Sequence, residues 1–280
     1  MLKARIITAL VLLFGLLGAL FLLPASGWLV FCALVCAAAG WEWGGLAAFT
    51  PGVRRVFAVG AGLACAALGY FAGLGGEGAA APWGLLPFYG LSALFWLSAI
   101  PFWLARKWTL HGATAHGAGR GIVVGLVVLV PPALALAHLR GIGPWVLLGI
   151  LAMVWVADIA AYFSGRAFGR RKLAPGISPG KTWEGACGAA AGVVVFGLVV
   201  LAGWAPQAPT PAGWIGAVLV LLGFTAISIV GDLFESLLKR QAGLKDSGTL
   251  LPGHGGILDR IDSLTSTLPL AGLAALWLAR

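Results

Sequence analysis

The sequence predicts an all-α, polytopic integral membrane protein with about nine transmembrane helices. Of its 280 residues, 60% are hydrophobic and only 10% are charged, and the mean hydropathy is +0.99. Apolar runs close to the ~20 residues that an α-helix needs to cross a bilayer recur along the whole chain. Because these runs fill most of the sequence, they leave no room for a separate soluble domain.

The boundaries of the predicted helices are marked in most cases by Pro and Gly, which interrupt the apolar runs. The first run, Ile6 to Leu23, is longer than the apolar part of a usual signal peptide, so we interpret it as the first membrane helix. Three prolines inside apolar runs, Pro101, Pro131 and Pro132, are expected to kink them. The predicted spans are 6–23, 28–49, 56–74, 84–104, 121–138, 145–163, 186–203, 213–239 and 257–278.

The distribution of basic residues predicts the orientation in the membrane. An odd number of crossings places the two termini on opposite sides, and all of the 18 Lys and Arg residues except Arg140 and Arg280 then fall on the side of the N-terminus. The positive-inside rule makes that side cytoplasmic, which predicts a multi-pass protein of the inner (cytoplasmic) membrane. Orientation and anionic headgroups also account for most of the net charge of +9, so no nucleic-acid partner is predicted.

The acidic residues divide the chain functionally. Of nine Asp and Glu residues, only Glu42 and Glu77 precede residue 158, and the others lie at or near the cytoplasmic ends of the last four predicted helices. Residues 1–140 are therefore predicted to form a transmembrane scaffold, and residues 141–280 to form a catalytic transmembrane region whose site faces the cytoplasm.

One of these acids, Asp158, lies inside an apolar run, in the segment DIAAYFSGRAF at the end of the sixth predicted helix. An isolated carboxylate at such a depth costs at least ~2.5 kcal/mol, so its side chain is expected to face a wet cavity or a cationic partner. We favour a functional role, and a structural pair with Arg166 or another interface cation is the alternative.

The loop that follows, Arg170 to Gly185, holds four basic residues, two prolines and three glycines. Its core, Ser178–Thr182 (SPGKT), is expected to place Lys181 and Thr182 at the start of a helix, and a helix N-terminus is itself an anion site. An ordinary basic loop on the cytoplasmic side is the alternative. The segment is not a Walker A loop, because Pro175 stands where that motif needs a glycine.

The segment GDLFESLLKR places four polar residues on one face of the eighth predicted helix, because they are three or four positions apart: Asp232, Glu235, Ser236 and Lys239. Asp232 follows an apolar run that ends at Val230, so it is expected at the cytoplasmic membrane boundary, where it could hold a metal. Glu235 is expected to form a salt bridge with Lys239.

The segment Lys245–Asp262 surrounds a Pro-Gly-His-Gly-Gly turn with cations and carboxylates. Cations bind phosphates, carboxylates hold divalent metals and glycines let backbone N–H groups approach an anion, so these are the parts of a phosphoryl or nucleotidyl transfer site. Asp259 and Asp262 are spaced i, i+3, so their carboxylates are expected to face one way and, with Asp232, to hold Mg²⁺ or two cations. Helix capping is the alternative, but it explains only one Asp. His254 could donate to a phosphate or serve as an acid or base.

These residues form one sequence pattern that spans the last two predicted helices. It reads Ser236-x-x-Lys239-Arg240, Lys245-Asp246, Gly248, Leu251-Pro252-x-His254-Gly255-Gly256 and Asp259-Arg260-x-Asp262. At every fixed position it resembles the signature of the phosphatidate cytidylyltransferase (CDP-diacylglycerol synthase) family. A second region of that family is resembled by Asp158, Ala161-Tyr162, Gly165-Arg166, Ser178-Pro179 and Lys181-Thr182. The resemblance covers about residues 155–265, and one departure is Gly180, where many relatives carry Lys.

The resemblance implies an enzyme that converts phosphatidic acid and CTP into CDP-diacylglycerol and pyrophosphate, with Mg²⁺ and room for a second cation. It also implies a homodimer in the bilayer with a cavity open to the cytoplasm. The catalytic residues are expected to be Asp232, Asp246, Asp259, Asp262, His254 and Lys245, with Asp232, Asp259 and Asp262 as metal ligands. The expected substrate-binding residues are Asp158, Tyr162, Arg166, Ser178, Lys181, Thr182, Ser236, Lys239, Arg240, Gly255, Gly256 and Arg260.

Two alternatives stay open on the sequence. A CTP-dependent polyprenol or lipid kinase shares parts of the motif and would release CDP instead of pyrophosphate. An ion-coupled transporter could use Asp158, Asp232 and Asp259 along an ion path. The transporter is disfavoured, because such a path should carry polar residues through the whole membrane, and the non-cytoplasmic side is nearly bare of them.

Overall fold

The protein, seen in a computed structural model that describes residues 2–76, 82–110, 115–204 and 210–278, is built almost entirely of helices. The elements are α1 (Leu2–Leu22), α2 (Ala25–Leu46), α3 (Pro51–Phe71), α4 (Leu86–Leu94), α5 (Ile100–Arg106), α6 (Ala115–Ile142), α7 (Pro144–Phe168), β1 (Lys172–Ala174), β2 (Ser178–Thr182), α8 (Trp183–Trp204), α9 (Pro211–Gln241) and α10 (Leu258–Leu278). Eight described helical segments are long and apolar enough to cross a membrane, and α1 adds a shorter apolar helix over Ile7–Leu22. The all-α, polytopic membrane class is therefore confirmed, with the predicted count of nine as an approximation.

The fourth predicted span, 84–104, is not a uniform α-helix. A 3₁₀ turn (Trp83–Leu85) leads into α4, and a π-helical turn (Phe95–Ala99) joins α4 to α5. Pro101 lies in the first turn of α5 and lacks the N–H group that a continuous helix would use, so the wider π turn absorbs the mismatch. The two prolines of α6, in contrast, lie inside a helix that continues past them.

The basic segment 170–185 was predicted to be a loop, but much of it is regular structure. β1 and β2 form an antiparallel hairpin in which Lys172 lies opposite Thr182, and α8 begins at the next residue. Glu184 anchors the hairpin to α8, since its carboxylate accepts hydrogen bonds from the backbone N–H groups of the two residues before β1, at 3.0 and 3.2 Å. The hairpin thereby holds Lys181 beside α9.

One hydrophobic core runs through both halves of the described chain, with buried members from α1 to α7 and from α9 and α10. The predicted division after residue 140 lies two residues before the end of α6 and stays a prediction, while the core packing continues across it. Phe234 of α9 packs edge-on against Trp96 and Trp103, with ring centroids 5.6 and 5.7 Å apart. This aromatic contact fixes the part of α9 that carries Asp232.

Small residues bring α7 and α8 close together, as is usual for helices that pack in a membrane. A Cβ atom added to Gly192 would lie 2.8 Å from the Cβ of Ala160, and one added to Gly188 would overlap the side chain of Ser164. α7 carries Asp158, and α8 follows β2 directly. The close contact between α7 and α8 therefore sets the distance between Asp158 and β2.

Replacing Gly188 with valine is expected to lower the free energy of unfolding by about 1–3 kcal/mol, because the added atoms have no space between α7 and α8. Thermal denaturation in detergent measures the effect. The matched control is Gly203→Val on the same helix, where an added Cβ meets no atom within 4 Å. Equal denaturation midpoints for the two variants would show that the α7–α8 contact is not tight.

Candidate active site

A cavity of about 460 Å³ lies between α7, α8, the hairpin and α9. We call it the helix cavity. Six of its lining residues are predicted site residues: Asp158, Tyr162, Arg166, Lys181, Thr182 and Asp232. Much of the remaining wall is small and apolar, with Ala157, Ala161 and Ala189. A wall that combines apolar side chains with cations and carboxylates suits an amphipathic ligand with an anionic head.

Asp232 joins the hairpin to α9. Its carboxylate forms an ion pair with Lys181 of β2 and accepts a hydrogen bond from Ser236 Oγ, one turn later in α9, at 3.3 Å. The side chains of Lys181 and Asp232 are 24% and 28% exposed, so both remain within reach of a ligand in the helix cavity. The pair also balances charge, which lowers the cost of keeping either group at the membrane boundary.

Asp158 lines the helix cavity and interacts electrostatically with Asp232, Lys181 and Arg260. The alternative ion pair with Arg166 is not present among the described residues. Arg166 instead donates a hydrogen bond from Nη1 to the hydroxyl of Tyr162, at 3.2 Å. Asp158 therefore adds a second carboxylate to the same cavity as Asp232.

A second cavity, of about 690 Å³, is formed by the loop that joins α9 to α10. We call residues 242–257 the signature loop. Its backbone turns through left-handed conformations at Gly253 and Gly255, with φ of 75° and 79°, which favour glycine. Lys245, Arg260 and His254 line this signature-loop cavity, and the buried Nδ1 atom of His254 has no hydrogen-bond partner within the described chain. Two cations around a glycine-rich turn suit a polyphosphate.

Asp259 organises the signature loop from the first turn of α10. Its Oδ2 atom accepts hydrogen bonds from the backbone N–H groups of Ser247 and Gly256, both at 2.8 Å, and from Ser247 Oγ at 3.0 Å. Its Oδ1 atom accepts one from Lys239 Nζ at 2.6 Å. The side chain is only 4% exposed. Both carboxylate oxygens of Asp259 therefore accept hydrogen bonds from within the protein, which is typical of a carboxylate that holds a loop in place.

Lys239 lies between two carboxylates and lines neither cavity. Its Nζ atom is 3.1 Å from Glu235 Oε1, which confirms the predicted salt bridge, and 2.6 Å from Asp259 Oδ1. The side chain of Lys239 is 13% exposed. These partners favour a role in fixing α10 against α9 over the expected binding of a phosphate.

The three predicted metal ligands do not gather into one cluster. Within the described ranges, no three His, Cys, Asp or Glu side chains are placed to hold a metal ion together. Asp262 interacts electrostatically with Asp232 and Asp158, whereas Asp259 is occupied by the signature loop. Mg²⁺ in nucleotide sites commonly takes one or two carboxylates and completes its shell with phosphate oxygens and water. Asp232, which lines the helix cavity, fits that pattern, with Asp262 as a second carboxylate that lines neither cavity but interacts with Asp232.

The remaining predicted residues take different places. Ser178 lies at the start of β2, opposite Ala174. Thr182 caps α8, because its hydroxyl accepts a hydrogen bond from the N–H of Gly185 at 3.1 Å. Arg240 is exposed near the end of α9, outside both cavities. Asp246 and Gly255 line the signature-loop cavity, whereas Gly256 is buried and donates its N–H to Asp259.

The N-terminal half takes part in this site, which was not predicted from the sequence. Glu42 of α2 is buried, with 2% exposure, and its carboxylate contacts the signature loop and the start of α10. Thr8 of α1 also donates a hydrogen bond to the carbonyl oxygen of Pro252, at 3.1 Å. Glu42 could have indicated this contact, because an acidic residue inside an apolar run is expected to have a polar or charged partner.

The fold and the site together define a membrane-embedded protein whose cationic and carboxylate side chains gather where its helices meet a glycine-rich loop. The chain belongs to the cytidylyltransferase family, which it matches over residues 3–277. A phosphatidate cytidylyltransferase of Pseudomonas aeruginosa is 41% identical over 283 residues, covering 100% of this chain and 98% of the relative. A relative of the same name from Brucella suis is 49% identical over 161 residues, which cover 56% of this chain and 58% of the relative. Another, from Haemophilus influenzae, is 47% identical over 127 residues, which cover 45% of this chain and 44% of the relative.

Proposed function

We propose that the protein transfers the cytidylyl group of CTP to phosphatidic acid, which gives CDP-diacylglycerol and pyrophosphate for phospholipid biosynthesis. The family and a full-length relative named phosphatidate cytidylyltransferase support this activity, and the lipid-kinase alternative is not favoured. The structural observation that carries the proposal is a pair of neighbouring cavities of different character. The cavities meet along α10, since Arg260 lines the signature-loop cavity and Ser263, one turn later, lines the helix cavity.

The two cavities suit the two substrates. Phosphatidic acid has acyl chains and a phosphate monoester, which match the apolar wall of the helix cavity and its cation Lys181. CTP is soluble and carries a triphosphate, which matches Lys245, Arg260 and His254 around the signature-loop cavity. Phosphoryl-transfer sites work mainly by positioning and by stabilising charge. The protein therefore has to bring a lipid phosphate and a nucleotide phosphate together between these cavities.

In the proposed reaction a phosphate oxygen of phosphatidic acid attacks the α-phosphorus of CTP. The bond from that phosphorus to the oxygen bridging the α- and β-phosphates breaks, and pyrophosphate leaves with this oxygen. A lipid phosphate is already ionised near neutral pH, so no strong general base is required. Lys181 orients the attacking phosphate, while Lys245, Arg260 and His254 hold the phosphates that leave.

Mg²⁺ belongs to this proposal, and Asp232 and Asp262 would hold it, with Asp246 as a further candidate. When bound, it would neutralise phosphate charge between the two substrates. Asp232 and Asp262 each interact with Asp158 electrostatically, so the site concentrates negative charge that a cation would offset. This grouping of three carboxylates is the observation that supports a cation here.

The location and assembly of the enzyme are further parts of the proposal. The charge distribution favours the inner membrane, with both cavities facing the cytoplasm, where CTP is available. The homodimer is carried over from the family resemblance.

The decisive experiment follows two labels. Protein purified in mild detergent is mixed with phosphatidic acid, Mg²⁺ and CTP labelled on cytosine or on the γ-phosphate. We expect cytosine label in the organic phase that depends on phosphatidic acid and disappears with EDTA. Label from the γ-phosphate in a lipid alcohol would instead identify a kinase. If folded protein transfers neither label, the enzyme assignment is overturned.

Replacing Lys181 with methionine is expected to raise the KM for phosphatidic acid about tenfold, because a charge-assisted contact to the lipid phosphate is lost. Initial rates at varied lipid mole fraction in mixed micelles measure it. The control is Lys172→Met in β1 of the same hairpin, an exposed lysine that does not line the helix cavity. A similar rise of the KM for phosphatidic acid in both variants would show that the effect comes from the loss of surface charge in general and not from Lys181.

A further inference from the structure

Glu42 of α2 makes three hydrogen bonds to the other half of the chain. Its Oε1 atom accepts one from the N–H of Ile257 at 3.0 Å, and its Oε2 atom accepts two, from the N–H of Leu258 at 2.8 Å and from Ser247 Oγ at 3.1 Å. Its partners lie more than 200 positions away in the sequence, with separations of 205 to 216 residues. The side chain therefore ties α2 to Ser247 within the signature loop and to the junction of that loop with α10.

The chemistry of a carboxylate fits this position. An ionised carboxylate accepts hydrogen bonds at both oxygens and donates none, so it can serve three donors at once. The first N–H groups of a helix have no partner within that helix, and a negative charge near them is favourable. Glu42 thus caps α10 from a different helix, at the point where the signature loop ends.

The signature loop is shaped to receive this carboxylate. A Cβ atom on Gly248 would lie 2.6 Å from Glu42 Oε1, and one on Gly256 would also collide with the carboxylate. Both glycines therefore allow the loop to approach Glu42. The hydroxyl of Ser247 contacts both Glu42 and Asp259, at 3.1 and 3.0 Å, so the two carboxylates hold the loop through one shared residue.

We propose that Glu42 is a positioning residue for the nucleotide, which sets the signature loop so that Lys245, His254 and Arg260 converge on the triphosphate of CTP. Glu42 lines neither cavity, so it acts through the loop and touches no substrate. The inference rests on the proposed cytidylyl transfer. It gives the N-terminal half a specific role in substrate binding beyond spanning the membrane.

The test is Glu42→Gln in the full-length protein, reconstituted in nanodiscs that contain phosphatidic acid. Glutamine keeps the size of the side chain but directs an NH₂ group at one of the N–H donors, so at least one contact is lost. We expect the KM for CTP to rise about tenfold, as for the loss of one or two buried hydrogen bonds, while the KM for phosphatidic acid stays within about twofold. We also expect faster hydrogen exchange at the amides of the signature loop.

The matched control is Trp43→Phe, which removes one buried hydrogen bond from the next residue of α2, the 2.9 Å bond to the carbonyl oxygen of Gly121. It is expected to leave the KM for CTP and the loop exchange unchanged. Equal effects of both variants, or a fall in turnover alone in Glu42→Gln, would overturn the proposal. Should Glu42→Gln fail to fold, Ser247→Ala is measured instead, and an unchanged KM for CTP would overturn it equally. Absence of transfer by the wild type contradicts the proposed function, and the exchange data then still test Glu42.

Discussion

Replacing Asp232 with asparagine is expected to lower the rate of cytidylyl transfer at least about a hundredfold, while the protein still inserts and folds. The substitution keeps the shape of the side chain and its hydrogen bond from Ser236, but it removes the charge that pairs with Lys181. In the proposed site that charge has two uses, since it orients Lys181 toward the lipid phosphate and contributes to binding Mg²⁺. The loss should therefore appear in turnover as well as in binding.

The measurement for Asp232→Asn is the initial rate as a function of Mg²⁺ concentration. A higher Mg²⁺ requirement together with low turnover would agree with a ligand role. Activity above a tenth of the wild type at saturating Mg²⁺ would remove Asp232 from the predicted ligand set. Thr225→Val on the same helix is the control, because its hydroxyl bonds to the backbone of Leu221 at 2.9 Å and does not reach the helix cavity.

Much of the fold follows from local sequence. Apolar runs of membrane length locate the helices, and the predicted span 213–239 differs from α9 by only two residues at each end. The span predicted as 145–163 ends five residues early, because the polar residues after Asp158 suggest an exit from the membrane, whereas α7 continues to Phe168. The hairpin was missed because its strands are only three and five residues long.

The site was predictable in its residue types but not in its pairings. Spacing along a helix correctly indicates that Glu235 meets Lys239, because both belong to one element. The same reasoning treated Asp259 and Asp262 as equivalent, although Asp259 lies at the second position of α10 and turns back to the loop amides. The contact from Glu42 joins elements more than 200 residues apart, and no local pattern specifies such a partner.

Asp259→Asn is expected to reduce activity at least about a hundredfold for a reason different from that of Asp232→Asn. The carboxylate of Asp259 accepts hydrogen bonds from two backbone N–H groups and from Lys239, shares the single hydroxyl hydrogen of Ser247 with Glu42, and is almost fully buried. An asparagine would direct its NH₂ group at one or more of these donors, and a buried donor without an acceptor costs about 1–3 kcal/mol each. The signature loop should then open, and the cations that bind CTP should lose their arrangement.

Hydrogen exchange separates this loop-holding role from metal binding. In Asp259→Asn one carboxylate oxygen becomes an NH₂ group and the other loses its charge, so the contacts to the loop amides or to Lys239 are broken or weakened, and the peptide that contains the signature loop should exchange at least about tenfold faster than in the wild type. Asp246→Asn is the matched control, because this neighbouring carboxylate is exposed and should leave the exchange unchanged. Treating the wild type with EDTA provides the counter-test: if Asp259 acts mainly as a metal ligand, metal removal should speed exchange as much as the substitution does. If the loop stays protected in Asp259→Asn while activity is lost, the carboxylate acts on the substrates or the metal, and the hydrogen bonds to the loop are secondary.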